Sequence, residues 1–452
     1  MMQHDDGGDL AEFEDILRTQ GPATVDAAAA RKRRRARTGG FVAFAVIAAL
    51  VVGAPTAYTL WALQAPLPEP ILAAETPTAP QRDAAEIYVA PEGSSAVAVT
   101  GGGAYLDAAD TVLGSDGALW TESGIDEVRP MASIAKVVAA LVILDAHPID
   151  GDGGGPTLTF GRADHALYDA YYVRGATIAA MPIGTSMSLR DALATMLVPS
   201  ASNYAEAVSS WAFGSVGSYA RAAERWLAAN GLENTRVVEP TGLDPRNTST
   251  ARDLITLGRL AAANPVVARI VATPSMSVSG AGRIVNTNAL LGERGITGLK
   301  TGTLEESGSN LLYTANLDVG IGEPLQVVGV MLGGITQQSV RHSVLATLDS
   351  IAGGFRTQPV AADGDRVGTY TTAWGGTADL EVAGAPTLRS WSDTPITVEM
   401  TVSTPSIIAD GAEAGAITWT AGPESVTVPL RIAGDIEPPS AWWRLTHPGD
   451  LG

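Results

Sequence analysis

The longest apolar run of the chain, Phe41 to Leu63, is free of charge. At ~1.5 Å per residue a helix over it can cross a ~30 Å hydrocarbon core, so the pattern predicts a membrane anchor over 41–63. A second apolar run reads Arg129-Pro130-Met131-Ala132-Ser133-Ile134-Ala135-Lys136, then Val137 to Leu144. Its apolar residues keep to no single face, which predicts a helix buried nearly all round. Pro130 stands where a helix can begin and Pro148 stops the run.

Around that helix the pattern alternates. Ala96–Val99 and the stretch from Tyr105 to Trp120 read as strands with Gly and Asp turns. Leu189 to Val208 reads as two helices meeting at Pro199. Tyr219–Asn230 and Thr250–Ala263 are further helices. Asn310–Leu317 and Leu325–Leu332 have the apolar density of sheet strands, and Val340–Ile351 is a closing helix. Strands at both ends with helices between predict an α+β domain over 95–356: one sheet built from both termini and flanked by helices.

From about residue 357 short alternating strands take over, predicting a smaller β-rich domain over 357–452. It carries a faint internal repeat, Asp363 to Thr371 against Asp410 to Thr418, each a turn entering a strand. Its tail holds Trp442 and Trp443, either packed back on the domain or free for a membrane or partner. Residues 64–94 contain Pro66, Pro68, Pro70, Pro77, Pro80 and Pro91, which predicts an extended, stiff linker. Residues 1–40 read as a polar cytoplasmic tail, with Leu10, Phe13, Ile16 and Leu17 spaced like one face of a short helix.

Charge sharpens the topology. The formal net charge is −19, a surface that repels nucleic acid. The one strong basic cluster, Arg31 to Arg37, abuts the apolar run and places that end in the cytoplasm. Everything after the run is then exported, as a single-pass membrane protein with its folded part outside. A cleaved signal peptide is the rival reading; the region before the run is long for one, and no small-x-small site follows it.

The chain has no cysteine, which excludes disulfides, thiolate nucleophiles and Cys-ligated zinc. Its histidines are scattered, and no metal or cofactor is expected. Asp150 to Gly155 resembles the opening of a calcium loop, but Gly161 stands where the bidentate Glu is needed. Gly101-Gly102-Gly103 opens no helix and is no phosphate cradle.

The candidate chemistry lies in three stretches. Ser133 and Lys136 sit one turn apart on the buried helix, where desolvation and the positive helix end favour a neutral amine beside a hydroxyl. That is a base beside a nucleophile. The second stretch is Pro199-Ser200-Ala201-Ser202-Asn203, the third Lys300-Thr301-Gly302-Thr303. A Ser-x-x-Lys, a Ser/Asn element and a Lys-Thr-Gly, in that order, form the set of penicillin-binding proteins and class A β-lactamases.

Over roughly Ser95 to Ile351, and more loosely to Arg444, the chain resembles the low-molecular-mass penicillin-binding proteins, the serine D-alanyl-D-alanine carboxypeptidases. The resemblance implies a penicillin-binding-protein/β-lactamase-like domain. It implies peptidoglycan stem peptides ending in D-Ala-D-Ala as substrate and β-lactams as inhibitors. Ser133 matches the acylated serine, Lys136 its base, and Ser200 a proton relay towards the leaving amine. The amides of Ser133 and Thr303 would form the oxyanion hole, and Lys300, Thr301 and Thr303 would hold the substrate carboxylate. Gly298 and Gly302 would leave room for a peptide along the sheet edge, and Arg341 stands where the family often has an arginine.

The second motif departs from the family's Ser-x-Asn. Either Ser202 takes the place of the amide, or a bulge brings Asn203 in. Two other functions use the same residues: a β-lactamase, which needs a deacylating carboxylate that no stretch plainly supplies, and a degenerate wall-binding protein.

Overall fold

The structure, a computed structural model, describes residues 27–109, 119–405 and 408–452. The polar tail with its Leu10 to Leu17 face lies largely outside the described residues, as does most of the loop before Leu119.

Helix begins at Ala27 and continues to Gln64, with a π-helical turn over Ala49–Gly53. Pro55 follows at once. Its ring clashes with the carbonyl of residue 51 in a regular α-helix, and the wider turn relieves that clash. Thr38–Gln64 is long and apolar enough to cross a membrane, with a mean hydropathy of 2.1. Phe41, Phe44, Leu50 and Val51 on it are all exposed, as lipid-facing side chains would be.

The α+β domain is built on a five-stranded antiparallel sheet. Its strands are β1 (Ser94–Thr100), β2 (Leu119–Ser123), β3 (Ile296–Leu304), β4 (Gly308–Leu317) and β5 (Leu325–Gly334), in the order β3-β4-β5-β1-β2. Both ends of the domain thus contribute strands. Successive side chains point to opposite faces. Ala96, Ala98, Leu312 and Val330 join one core, and Val97, Val99, Leu311 and Met331 join the other. The first core holds the helices α1 (Ala135–Ala146), α2 (Ser202–Phe213) and α3 (Ala251–Ala263). The second is closed by α4 (Gln337–Gly354) through Val340, Val344, Leu348 and Ile351.

Two local readings change. Pro130 does not open the buried helix: Arg129–Pro130 pairs as a short strand with Thr248–Ser249, and the helix starts only after a 3-10 turn over Ala132–Ile134. Tyr105 belongs to a helical turn over Gly103–Leu106, because Gly102 is left-handed and its carbonyl accepts from the Tyr105 and Leu106 amides.

Past α4 the chain supplies five strands of a six-stranded sheet whose core includes Tyr370, Leu380, Ile417, Trp419 and Ile432. The faint repeat has a structural counterpart. Asp363 accepts from the Gly384 amide at 2.7 Å, and Asp410 from the Gly434 amide at 2.8 Å, each at the turn before a strand. The proline-rich segment is not a free spacer. Ile71–Ala74 pairs with Arg366–Thr371 as an edge strand. Arg82 bonds the Ser390 hydroxyl at 3.1 Å, and the Tyr88 amide bonds that of Ser350 at 2.9 Å. The segment therefore straps both folded parts together.

The tail helix Ala441–Thr446 lies against the C-terminal end of the N-terminal helix. The Tyr58 hydroxyl donates to the Leu445 carbonyl at 2.6 Å, and Arg444 donates to the Ala65 carbonyl at 2.9 Å. Trp443 stacks on His447 and meets Trp374 edge-on, whereas Trp442 is exposed.

Candidate active site

The turn carrying Ser133 is held in an unusual shape. Ala132, just before it, has φ +49°, a left-handed conformation that a non-glycine residue adopts only under constraint. Two neighbours impose it. The Met131 amide donates to the Asn247 carbonyl at 2.9 Å. Gly242 packs so closely that a Cβ there would stand 2.0 Å from the Ala132 carbonyl oxygen. The result is a half-buried Ser133 at the mouth of a helix whose next turn is entirely inside.

Lys136 is fully buried. Its Nζ donates to the Ser133 Oγ at 2.9 Å and to the Thr241 carbonyl at 2.6 Å. Burial pushes the amine down to about 7, against the opposing pull of the Glu239 carboxylate. A substantial neutral fraction at physiological pH makes Lys136 able to accept the serine proton.

Strand β3 crosses the front of this pair. Lys300 is buried, and its Nζ donates to the Thr301 carbonyl at 2.9 Å. Burial and then the charge of Lys136 hold it well below the usual lysine range. The two cations therefore disfavour each other's protonation. A Cβ on Gly302 would lie 3.0 Å from the Ser133 amide nitrogen. The glycine thus lets the strand close onto the serine turn rather than making room for a peptide. Gly298 likewise clears Val271, whose Cγ2 would be 2.7 Å from a Cβ there.

A cleft of about 370 Å3 opens over Ser133 and is lined by Ser200, Thr301, Gly302, Thr303, Gln337 and Arg341, among others. No carboxylate is among the described residues that line it. Ser200 reaches it from a left-handed backbone, φ +69°, in the turn that ends at α2. Of the two residues that could stand for the family amide, Asn203 is spent elsewhere. Its Nδ2 donates to the Ala179 carbonyl at 2.8 Å, and its Oδ1 accepts from the Ala179 amide at 3.1 Å. Asn203 is absent from the cleft lining and braces the 177–179 loop, whose Thr177 is on the rim. Ser202 opens α2, and its amide donates to the Thr177 carbonyl at 2.8 Å.

Several site residues were not visible in the sequence. Gln337, at the start of α4, donates from Nε2 to the Thr303 hydroxyl at 2.8 Å and to the Gly302 carbonyl at 3.2 Å. The Arg341 Nε in turn donates to the Gln337 carbonyl at 3.3 Å. Thr287 and Thr301 share a hydroxyl–hydroxyl bond of 2.7 Å. Behind the cleft, the loop from Glu239 to Asn247 supplies the carbonyl that holds Lys136. No signal in the sequence places this loop beside Ser133.

A serine hydroxyl bonded to a buried lysine, beside a strand that carries a second buried lysine, is an arrangement able to support serine hydrolase chemistry. Residues 108–332 match the peptidase S11 family, D-alanyl-D-alanine carboxypeptidase. The match falls within the α+β domain and spans just under half of the chain. It is 30% identical over 201 residues to a D-alanyl-D-alanine endopeptidase of Pseudomonas aeruginosa, covering 43% of this chain and 61% of that protein. A D-alanyl-D-alanine endopeptidase of Escherichia coli is 30% identical over 149 residues, 33% of this chain and 44% of the relative. The chain therefore spans less than two thirds of the length of the curated relatives it matches. Penicillin binding protein 5 from Haemophilus influenzae overlays with a TM-score of 0.49 at 17% identity, covering 80% of this chain and 100% of that one.

Proposed function

We propose that the protein is a membrane-anchored serine DD-carboxypeptidase that removes the terminal D-alanine from peptidoglycan stem peptides. The observation that carries this is the 2.9 Å bond between the Lys136 amine and the Ser133 hydroxyl, at a cleft edged by Thr301 to Thr303.

The chemistry follows from the arrangement. The Ser133 Oγ attacks the carbonyl between the two D-alanines while its proton passes to Lys136. The Ser133 and Thr303 amides stabilise the oxyanion. The C–N bond then breaks, Ser200 relays a proton to the leaving amine, and free D-alanine departs. Water attacks the remaining ester and regenerates Ser133. The substrate carboxylate meets the positive charge of Arg341 and the hydroxyls of Thr301 and Thr303, while Lys300 lies behind them with its amine on the Thr301 carbonyl. Of this turn only Ser200 lines the cleft; Ser202 and Asn203 are both buried behind it, so the head of α2 does not fill the place of the family amide.

A β-lactam enters the same site and acylates Ser133. The carboxylate-free cleft wall supports slow release of that adduct, against a β-lactamase. Arg31 to Arg37 on one side of the apolar helix supports a cytoplasmic N-terminus and an exported catalytic domain. The names of the two curated relatives favour a second reading, an endopeptidase. Full-length protein in detergent, given a stem pentapeptide and a cross-linked dimer, separates them. The proposal expects free D-alanine from the pentapeptide. Cleavage of the dimer alone gives the endopeptidase, and no product from either overturns both.

A further inference from the structure

The loop behind the cleft is organised by one carboxylate. Glu239 Oε2 accepts from the Thr241 amide at 2.6 Å, and Oε1 accepts from the Asn247 Nδ2 at 2.6 Å and the Asp244 amide at 3.2 Å. Asn247 closes the loop on itself, its Oδ1 accepting from the Val238 amide at 2.7 Å. The same loop touches the two residues on which the chemistry depends. Its Thr241 carbonyl takes a bond from Lys136, and its Gly242 and Asn247 shape the turn that carries Ser133.

We propose that Glu239 is a positioning residue of this site, one that folds the 239–247 loop so that the Thr241 carbonyl grips the Lys136 amine and turns a negative charge towards it. The inference rests on the peptidase reading above and deepens it. A lysine buried beside a second lysine, with nothing opposing, would lose its proton too readily to be an effective base near neutral pH. Glu239 pulls in the other direction, which leaves Lys136 able both to accept the serine proton and to give it back. The other ionisable groups on the surrounding elements are Lys300 on β3, Tyr219 on Val216–Ala229, and Tyr171 on Arg162–Val173, which donates to Glu206 on α2. Burial is the main reason both phenols are pushed up and stay protonated, with Glu239 adding to it for Tyr219 and, after Glu206, for Tyr171. Among these groups, Glu239 is the charge that raises Lys136.

The composition of the chain offers a direct test. Its only lysines are Lys32, Lys136 and Lys300. Full-length protein grown on lysine labelled with 13C at Cε therefore gives few side-chain signals, assigned by single Lys→Arg variants. The Lys136 midpoint is read in the parent, in Glu239→Gln and in Glu239→Asp. The expected order is parent highest, then Asp, then Gln, with Gln lower than the parent by about 1 unit. The acid limb of penicillin acylation should move with it. Should Glu239→Gln not fold, Glu239→Asp carries the test, since it draws the charge back by one carbon. An unchanged or raised midpoint in the folded variants overturns the proposal and leaves Glu239 a loop brace. Acylation of parental Ser133 is measured on the same samples. Its absence would remove the peptidase reading, while the lysine titration still decides the role of Glu239.

Discussion

Gly302 stands against Ser133 with no room for a side chain. A Cβ at 302 would lie 3.0 Å from the Ser133 amide nitrogen and 3.1 Å from the Met131 carbonyl. The contact joins the strand that holds the substrate to the turn that holds the nucleophile. In the proposed mechanism it also sets the spacing of the Ser133 and Thr303 amides. Gly302→Val should push β3 off the serine turn and lower penicillin acylation by ~100-fold or more, the scale of losing one oxyanion donor. Stopped-flow labelling with a fluorescent penicillin measures this. A variant acylated at the parental rate would show that the strand does not help form the hole.

Acylation should depend on pH through Lys136. Its amine, lowered to about 7, takes the serine proton only when neutral. The acylation rate should therefore rise with pH through about 7 and fall roughly tenfold per unit well below it. The same shift predicts a stability trend. Unfolded lysine stays protonated to about 10.4, so between the two values the unfolded chain binds more protons than the folded one. This contribution is lost as pH falls through about 7 and grows as pH rises above it. The melting temperature of the parent should thus rise relative to Lys136→Met from pH 7 to pH 9. No relative change over that range would show that the folded state keeps Lys136 charged.

Asn203 should prove a brace and not a substrate ligand. Its amide is closed on Ala179 by two hydrogen bonds inside the protein. Asn203→Ala should cost about 1–3 kcal/mol of stability, seen in chemical denaturation. Asn203→Asp should be no better, since a carboxylate cannot donate to the Ala179 carbonyl. Normal stability with a large rise in KM for the peptide would instead return Asn203 to the cleft.

The catalytic domain and the β-rich domain meet at Gly354, the last residue of α4. A Cβ there would sit 2.0 Å from the ring of Trp391, which is itself buried. Gly354→Ala should cost about 1–3 kcal/mol through overpacking. Because the defect is remote from Ser133, acylation of the folded fraction should be unchanged. Calorimetry and active-site labelling together check both halves.

Much of this architecture could be read from residue pattern alone. The helices of the first domain were marked by apolar spacing and stops such as Pro199, and β4 and β5 by dense Val and Leu. Ser133, Lys136 and Lys300 carried their chemistry in their spacing and order. What escaped the sequence acts across distance. Nothing near Glu239 indicates that its loop meets Lys136, because that contact forms only when the domain packs. The role of Asn203 depends on a loop more than twenty residues away. Pro130 read as a helix start because a proline at a first helical turn and a proline in a short bridge look alike in sequence. The proline-rich strap misled for a similar reason. An extended segment can be a spacer or an edge strand, and only the open edge beside Arg366–Thr371 decides.

The account rests on Ser133 as the nucleophile, and one measurement addresses that most directly. Full-length protein is incubated with penicillin, digested, and the modified peptide mapped by mass spectrometry, with Ser133→Ala alongside. The prediction is a single long-lived penicilloyl ester on Ser133 that is absent from the variant. Equal labelling of the variant, or an intact parent with no adduct, would contradict the account.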